Sequence, residues 1–344
     1  MPAPSKNPAE AAKLPRSGLG VRMLRRQFIG LIGGATAWSH WARAQQPAGK
    51  IWRIGFLGAT PPTQAMISAL RDGLRERGYL DGQNLLVDIR SLDQNRDVAI
   101  ELARSGADLI VAWTTPAAIA AQQATKTIPI VMVSVADPVG AGVVAELARP
   151  GGNITGTSNM STELSGKLVQ LLVEILPGIK RIGVVRNINN PGASALSLKE
   201  TEAAIRALGL QIEVVEAEAE EEYDTAFERL RQRGVGGVVL LPDGALVKHR
   251  ARIAEFALKA RLPTVFQRRE NAEAGGLLSY GSNLSDLLRQ SAIFVDRIFK
   301  GAQPANLPVE QPTKFTLAVN LKTAKALGLD LPPTLIARAD EVIE

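Results

Sequence analysis

Trp52-Arg53-Ile54-Gly55-Phe56-Leu57 decides the fold class together with the segment directly after it: the turn-rich Gly58-Ala59-Thr60-Pro61-Pro62-Thr63, then Ala65, Met66, Ala69, Leu70, Gly73 and Leu74 at helical spacing. The first six residues read as a strand, the next six as a turn, and the apolar positions as one face of a helix. That helix ends near Gly78, a residue suited to a left-handed stop. The apolar run Leu85 to Ile89 then supplies a second strand, which completes a strand–helix–strand unit.

The alternation continues through strands expected at Leu109 to Trp113, Ile128 to Val133 and Ile154 to Thr157. Continuous apolar runs such as Ile128-Pro129-Ile130-Val131-Met132-Val133 suit strands covered on both faces, so an α/β class with parallel sheets is expected. The second half repeats the first. Ile54-Gly55-Phe56-Leu57 answers to Ile182-Gly183-Val184-Val185, Gly78 to Gly209, Ala107 to Val111 to Gly236 to Leu240, and Ile128-Pro129-Ile130-Val131 to Leu262-Pro263-Thr264-Val265. The offsets of 128, 131, 129 and 134 residues drift only by loop-sized amounts, which points to two similar lobes. Chance similarity between generic α/β units is the alternative. The first lobe is expected to end near Gly151 to Thr157.

The N-terminus carries a different signal. Arg25-Arg26 with Phe28 two residues on, an 11-residue apolar stretch from Phe28 to Trp38 and the small-x-small tripeptide Ala42-Arg43-Ala44 have the layout of a twin-arginine export signal. The stretch falls short of the roughly 20 residues that span a bilayer, so residues 1–44 read as a removable signal and Met23 as a plausible start. A basic N-terminus on a cytoplasmic protein is the alternative. Without those residues, which hold seven basic and one acidic side chain, 33 of each sign remain, so the high overall charge gives no signal for nucleic acid. The chain has no cysteine, hence no disulfide, thiolate nucleophile or lipid-carrying Cys, and it is expected not to be membrane-anchored. His249 is the single histidine left after the signal. It reads as a solvated surface residue, so neither a Ser-His-Asp triad nor a His-based metal site is expected. The remaining 300 residues suit two cores better than one.

In open parallel sheets ligands bind outside the carboxyl ends of the strands. Those loops hold Ala59 and Thr60, Thr114 and Thr115, Ser134 to Pro138 with Asp137, Asn187, Asn189 and Asn190, Asp243, and Gln267-Arg268. Thr115 reads as an N-cap and Pro116 as the first helical residue, so that the two threonine hydroxyls and the Ala117 and Ala118 amides converge on an anion such as a carboxylate. An ordinary capped helix is the plain alternative. Asp137 and Asp243 each read as turn former or ligand counter-ion. Trp113 either stacks on an aromatic solute or finishes a buried strand. Gly140-Ala141-Gly142-Val143-Val144-Ala145 spells a dinucleotide fingerprint but follows the fourth strand and lacks the later acidic partner, so no nucleotide cofactor is expected.

The export signal, Ile54 to Leu57, Gly78-Tyr79 with Gly82-Gln83-Asn84, Asp137-Pro138-Val139, Arg149 to Gly156, Gly275 to Gly281 with Tyr280, and Pro312-Thr313-Lys314-Phe315 to Gly328 together resemble the ABC-transporter substrate-binding proteins grouped with tryptophan and tyrosine binders. The resemblance implies a type I periplasmic binding-protein fold: two doubly wound parallel-sheet lobes with a ligand cleft between them and about three crossings. Residues 51–158 with 279–307 would form lobe 1, and 159–278 with 308–344 lobe 2. It also implies a periplasmic, monomeric, non-enzymatic receptor without cofactor or metal. The receptor would capture a small solute, an amino acid or similar small carboxylate, and pass it to an ABC permease and its ATPase subunit. Tyr280 joins the candidate ligand-binding residues on this basis. Arg186, at the position where relatives read Asn-Pro-Asn-Asn, leaves specificity open. An exported enzyme using Asp137 or Asp243, or a stand-alone ligand sensor, remains the alternative.

Overall fold

A computed structural model describes residues 50–93, 97–187, 191–217 and 219–344, without the side chains of 162, 191–194 and 244–245. The expected signal at 1–44, as well as Asn189 and Asn190, lies outside the described residues.

The first lobe runs β1 (Trp52–Gly58), α1 (Gln64–Arg75), β2 (Leu85–Ser91), α2 (Val98–Arg104), β3 (Leu109–Trp113), α3 (Thr115–Ala124), β4 (Ile130–Val135) and β5 (Ile154–Ser158). The second begins with α4 (Ser161–Ile175), β6 (Arg181–Arg186), α5 (Pro191–Ala207), β7 (Gln211–Glu216), α6 (Glu220–Gln232) and β8 (Gly237–Leu240). It continues with α7 (Gly244–Lys248), α8 (Arg250–Lys259), β9 (Thr264–Phe266), α9 (Arg269–Glu273) and β10 (Leu278–Gly281). The chain then passes through α10 (Leu284–Phe299), β11 (Thr316–Asn320), α11 (Leu321–Leu327), α12 (Pro333–Arg338) and β12 (Glu341–Ile343).

The strand order in the first sheet is β2-β1-β3-β4-β5 and in the second β7-β6-β8-β9-β10-β11-β12. The first five strands of the second sheet repeat the order of the first, so the sequence repeat is a repeat of topology. All neighbours are parallel except β10 and β11. Each order reverses direction between its first and third strands, so the loops after β1 and β3, and after β6 and β8, diverge and open a crevice at the carboxyl ends.

Burial accounts for the layers. Ile54, Phe56, Val111 and Val133 face α1 and α10 on one side of the first sheet, while Leu57, Ile110, Ala112 and Met132 face α2 and α3 on the other. The helix α10 is capped by Asn283, whose side-chain Oδ1 accepts from Ser285 N at 2.9 Å, and it buries Leu284, Leu287, Leu288, Ala292 and Val295 at helical spacing. Gly73 lets α10 lie close to α1, since a Cβ there would sit 2.6 Å from the Arg289 carbonyl oxygen. In the second lobe, α4, α11 and α12 cover one face and α6 and α8 the other.

Three crossings join the lobes: β5 to α4, β10 to α10, and the segment leading to β11. The positions differ from expectation. Ser279, Tyr280 and Gly281 belong to β10 and pair with β11 in the second sheet rather than lying in lobe 1. Val309 and Glu310 still pair with the first lobe, with Val309 N donating to Leu147 O at 2.7 Å and Glu310 N to Gly156 O at 2.9 Å. Ladder hydrogen bonds outlast the sequence punctuation at both places.

Candidate functional site

The loop after β1 turns at Gly58, where a Cβ would meet the Thr60 carbonyl oxygen at 2.4 Å and the Trp113 ring at 3.1 Å. That turn sets the half-buried Ala59 and Thr60 at the mouth of the crevice. Trp113 is buried in the core beneath it and ends its strand.

The entry to α3 departs from the expected cap. Thr114, not Thr115, is the N-cap, and Pro116 occupies the second helical position. Thr114 leaves β3 at φ 81° and ψ 161°, which starts the helix one residue early. The Thr115 hydroxyl is committed elsewhere: it accepts from Ala136 N at 3.2 Å and ties the β3 and β4 loops together. The Thr114 hydroxyl is buried and makes no hydrogen bond among the described residues. By helix geometry the first-turn amides of Thr115 and Ala117 lack intrahelical partners, so donor capacity remains there for an anion.

Next to it, Ser134, the last residue but one of β4, has φ 59°. Its neighbours hold it in that conformation: its amide donates to Thr157 Oγ1 at 3.5 Å, and Asn159 Nδ2 donates to its carbonyl at 3.2 Å and its hydroxyl at 3.1 Å. A third left-handed residue, Met160, begins α4. Thr114, Ser134 and Met160 are three of the four non-glycine residues with positive φ among the described residues. Backbone strain gathered in one place and held by surrounding bonds is characteristic of ligand sites. Ser158 and Ser161, at the same crossing, also have buried hydroxyls without a hydrogen-bond partner among the described residues.

The second lobe faces this cluster. Gln267 donates from Nε2 to the Ser161 carbonyl, and Arg268 Nη2 donates to Ser134 Oγ at 3.4 Å across the lobes. Burial pushes the Arg268 pKa below its ordinary value, a tendency the Glu270 carboxylate partly opposes. Asn187 Nδ2 donates to Asp243 Oδ1 at 2.9 Å, joining the loops after β6 and β8. At the rim, Leu196 of α5 comes within 3.1 Å of where a Gly140 Cβ would stand.

Of the ten expected residues, Ala59, Thr60, Thr114 and Thr115 surround the first-lobe side of the crevice, and Asn187 with Asp243 the second-lobe side. Asp137 accepts from Gly140 N at 2.8 Å and so acts as a turn former. Tyr280 follows Ser279, the register partner of Phe266, and so stands beside Gln267; its ring lies 5.8 Å from Phe315 and packs on the second-lobe core. His249 is not a solvated surface residue. It is half-buried with Nδ1 3.2 Å from Glu220 Oε2, near the Tyr223 ring. Arg186 pairs with Glu216 across the β6–β7 edge, which balances its charge there. Ser134, Asn159 and Arg268 were missing from the expected set. Their loop positions were visible, but nothing local shows that residues 134 apart in sequence meet.

The Gly78-Tyr79 motif is structural: the Tyr79 hydroxyl donates to Asp296 Oδ1 at 3.0 Å, and burial together with that carboxylate raises its pKa to about 12. The glycine-rich 140–145 segment forms turns with no helix after it, so the dinucleotide geometry is absent there. Among the described residues no cluster of three metal-binding side chains occurs, and no helix is long and apolar enough to cross a membrane.

The family described as ABC transporter substrate binding protein matches residues 59–343. The chain belongs to this family. A tyrosine-binding protein of Clostridioides difficile (strain R20291) is 27% identical over 261 residues, covering 74% of each chain. A Streptococcus pneumonia ABC domain solved in complex with L-Trp is 26% identical with a TM-score of 0.78, covering 85% of this chain and 99% of that one. The ligand-free, open structure of a substrate binding protein with adhesive properties from Clostridium difficile is 25% identical over the same shares, with a TM-score of 0.63.

Proposed function

We propose that this protein is the exported solute receptor of an ABC importer, which closes its two lobes on an amino acid or similar small carboxylate and presents the closed form to a membrane permease and its ATPase subunit. The observation that carries this reading is the convergence of loops from two sheets of repeated topology on one crevice, with Arg268 and Ser134 touching across it. At nearly equal identity and coverage, the fold superposes better on the L-Trp complex than on the open, ligand-free relative, which supports a closed arrangement of the lobes. A solute that contacts both lobes only when they are shut stabilises that state by its differential affinity. The engagement of Asp137 in its own turn favours a binding role over acid–base catalysis.

A thermal-shift screen of the purified protein against L-amino acids and small carboxylates, followed by calorimetric titration and small-angle scattering of the best binder, tests the proposal. A native-state binder raises the melting temperature by mass action and the radius of gyration falls on binding. Absence of any binder in those classes, or tight binding without compaction, defeats it.

A further inference from the structure

Two neighbouring arginines at the start of α9 have opposite surroundings. Arg269 forms ion pairs with Glu273 at 2.9 Å and with Glu341. Arg268 lies half-buried between the lobes, and among the described residues no carboxylate stands within ion-pair distance of it. Its hydrogen bond is the 3.4 Å donation to Ser134 Oγ. Guanidinium stays charged in proteins, and a partly desolvated cation without a counter-ion is costly unless something else supplies the negative charge. The half-buried Arg186, by contrast, is paired with Glu216.

Arg268 meets the first lobe at the Ser134 hydroxyl. Trp113 and Val133 are register partners and Thr114 N donates to Val133 O at 3.0 Å, so Thr114 and Ser134 follow them on neighbouring strands. Among the described residues the buried Thr114 hydroxyl has no partner, the Ser134 hydroxyl touches Arg268, and the first turn of α3 follows directly on β3. Cation and hydroxyl thus touch across the lobes, with the start of α3 on the neighbouring strand.

We propose that Arg268, Thr114, Ser134 and the first turn of α3 form a single subsite for a carboxylate of the solute, shared between the lobes, so that this carboxylate latches the closed form. The inference rests on the reading of the protein as a closing receptor. Arginine supplies two parallel donors to a carboxylate, and the hydroxyls and amides take the remaining lone pairs. Solutes in which that carboxylate is converted to an amide lose the charge the subsite requires.

The test compares wild type, Arg268→Gln and Arg268→Lys by calorimetric titration with L-tryptophan, L-tyrosine, L-glutamate, succinate, tryptophanamide and tyrosinamide, each beside a ligand-free melt. The expected result is that carboxylates bind wild type and amides do not. Arg268→Gln weakens carboxylate binding by roughly 10- to 100-fold, and Arg268→Lys falls between. The ligand-free Arg268→Gln protein melts no lower than wild type, because an unpaired cation has been removed. Equal binding of an amide and its parent acid, or unchanged affinity in Arg268→Gln, overturns the subsite while leaving the receptor reading intact. If no compound in the panel binds wild type, the receptor reading for these classes falls and the subsite with it. A ligand-free melt well below wild type in both variants assigns Arg268 a structural role instead.

Discussion

Replacing Thr114 by glycine separates strain from binding. The residue's φ of 81° and ψ of 161° lie in a region essentially reserved for glycine, and holding a threonine there costs about 1–3 kcal/mol. Its buried, unpartnered hydroxyl adds a desolvation penalty of about 1–3 kcal/mol in the unliganded protein. Against this, glycine frees the unfolded chain by about 0.4–1 kcal/mol, and losing a partly buried methyl forfeits at most about 0.8 kcal/mol. The balance favours stabilisation of the ligand-free variant by about 1–3 kcal/mol, which at about 2 °C per kcal/mol for a chain of this size raises the melting temperature by roughly 2–6 °C. Binding moves the other way. A hydroxyl donated to a carboxylate is worth about 1.5–3 kcal/mol, so affinity falls roughly 10- to 150-fold. Differential scanning fluorimetry and calorimetric titration, with Thr114→Ser as the control that keeps both hydroxyl and strain, read the two effects separately. A lower melting temperature with unchanged affinity would refute the reasoning, because Thr114 would then be an ordinary structural residue.

Thr115→Val strands the Ala136 amide and is expected to destabilise the protein by about 1–3 kcal/mol in denaturant titration, with affinity changing less than at Thr114. Gly73→Ala drives a methyl toward the Arg289 carbonyl and is expected to cost about 1–3 kcal/mol, without altering solute affinity. Tyr79 holds its proton to about 12 against an ordinary 10.0, so the folded state binds that proton more tightly than the unfolded one. The stability this contributes is complete below pH 10 and is lost as the pH climbs from 10 to 12. Tyr79→Phe therefore flattens the alkaline limb of a stability–pH curve, and an unchanged limb counts against the assignment. Replacing Arg25 and Arg26 together by lysine is expected to leave the protein in the cytoplasm; undiminished recovery from the periplasm would show that export takes another route.

Much of the architecture was legible along the chain because strand and helix periodicities are local. Leu109 to Trp113 reads as a strand and is one; Ile54 to Leu57 and Ile182 to Val185 read as equivalents and occupy equivalent places in two sheets of the same order. The loops that could hold a solute followed from the same reading, since strand direction alone assigns the carboxyl ends. Tertiary structure decided the rest. Whether residues 279–281 ended one lobe or began another depended on which strand offered a ladder, and β11, arriving antiparallel from much later in the chain, did so. The Thr115 hydroxyl is engaged by Ala136 N rather than by the helix cap, and Ser134 holds a positive φ between its bonds to Thr157 and Asn159. Arg268 shows the limit most plainly. Its sequence neighbour Arg269 has the same side chain, but Arg269 meets Glu273 one turn along α9 and Glu341 brought by the crossings, whereas the crossings bring Ser134 to Arg268. No local pattern encodes a juxtaposition that depends on how two lobes close.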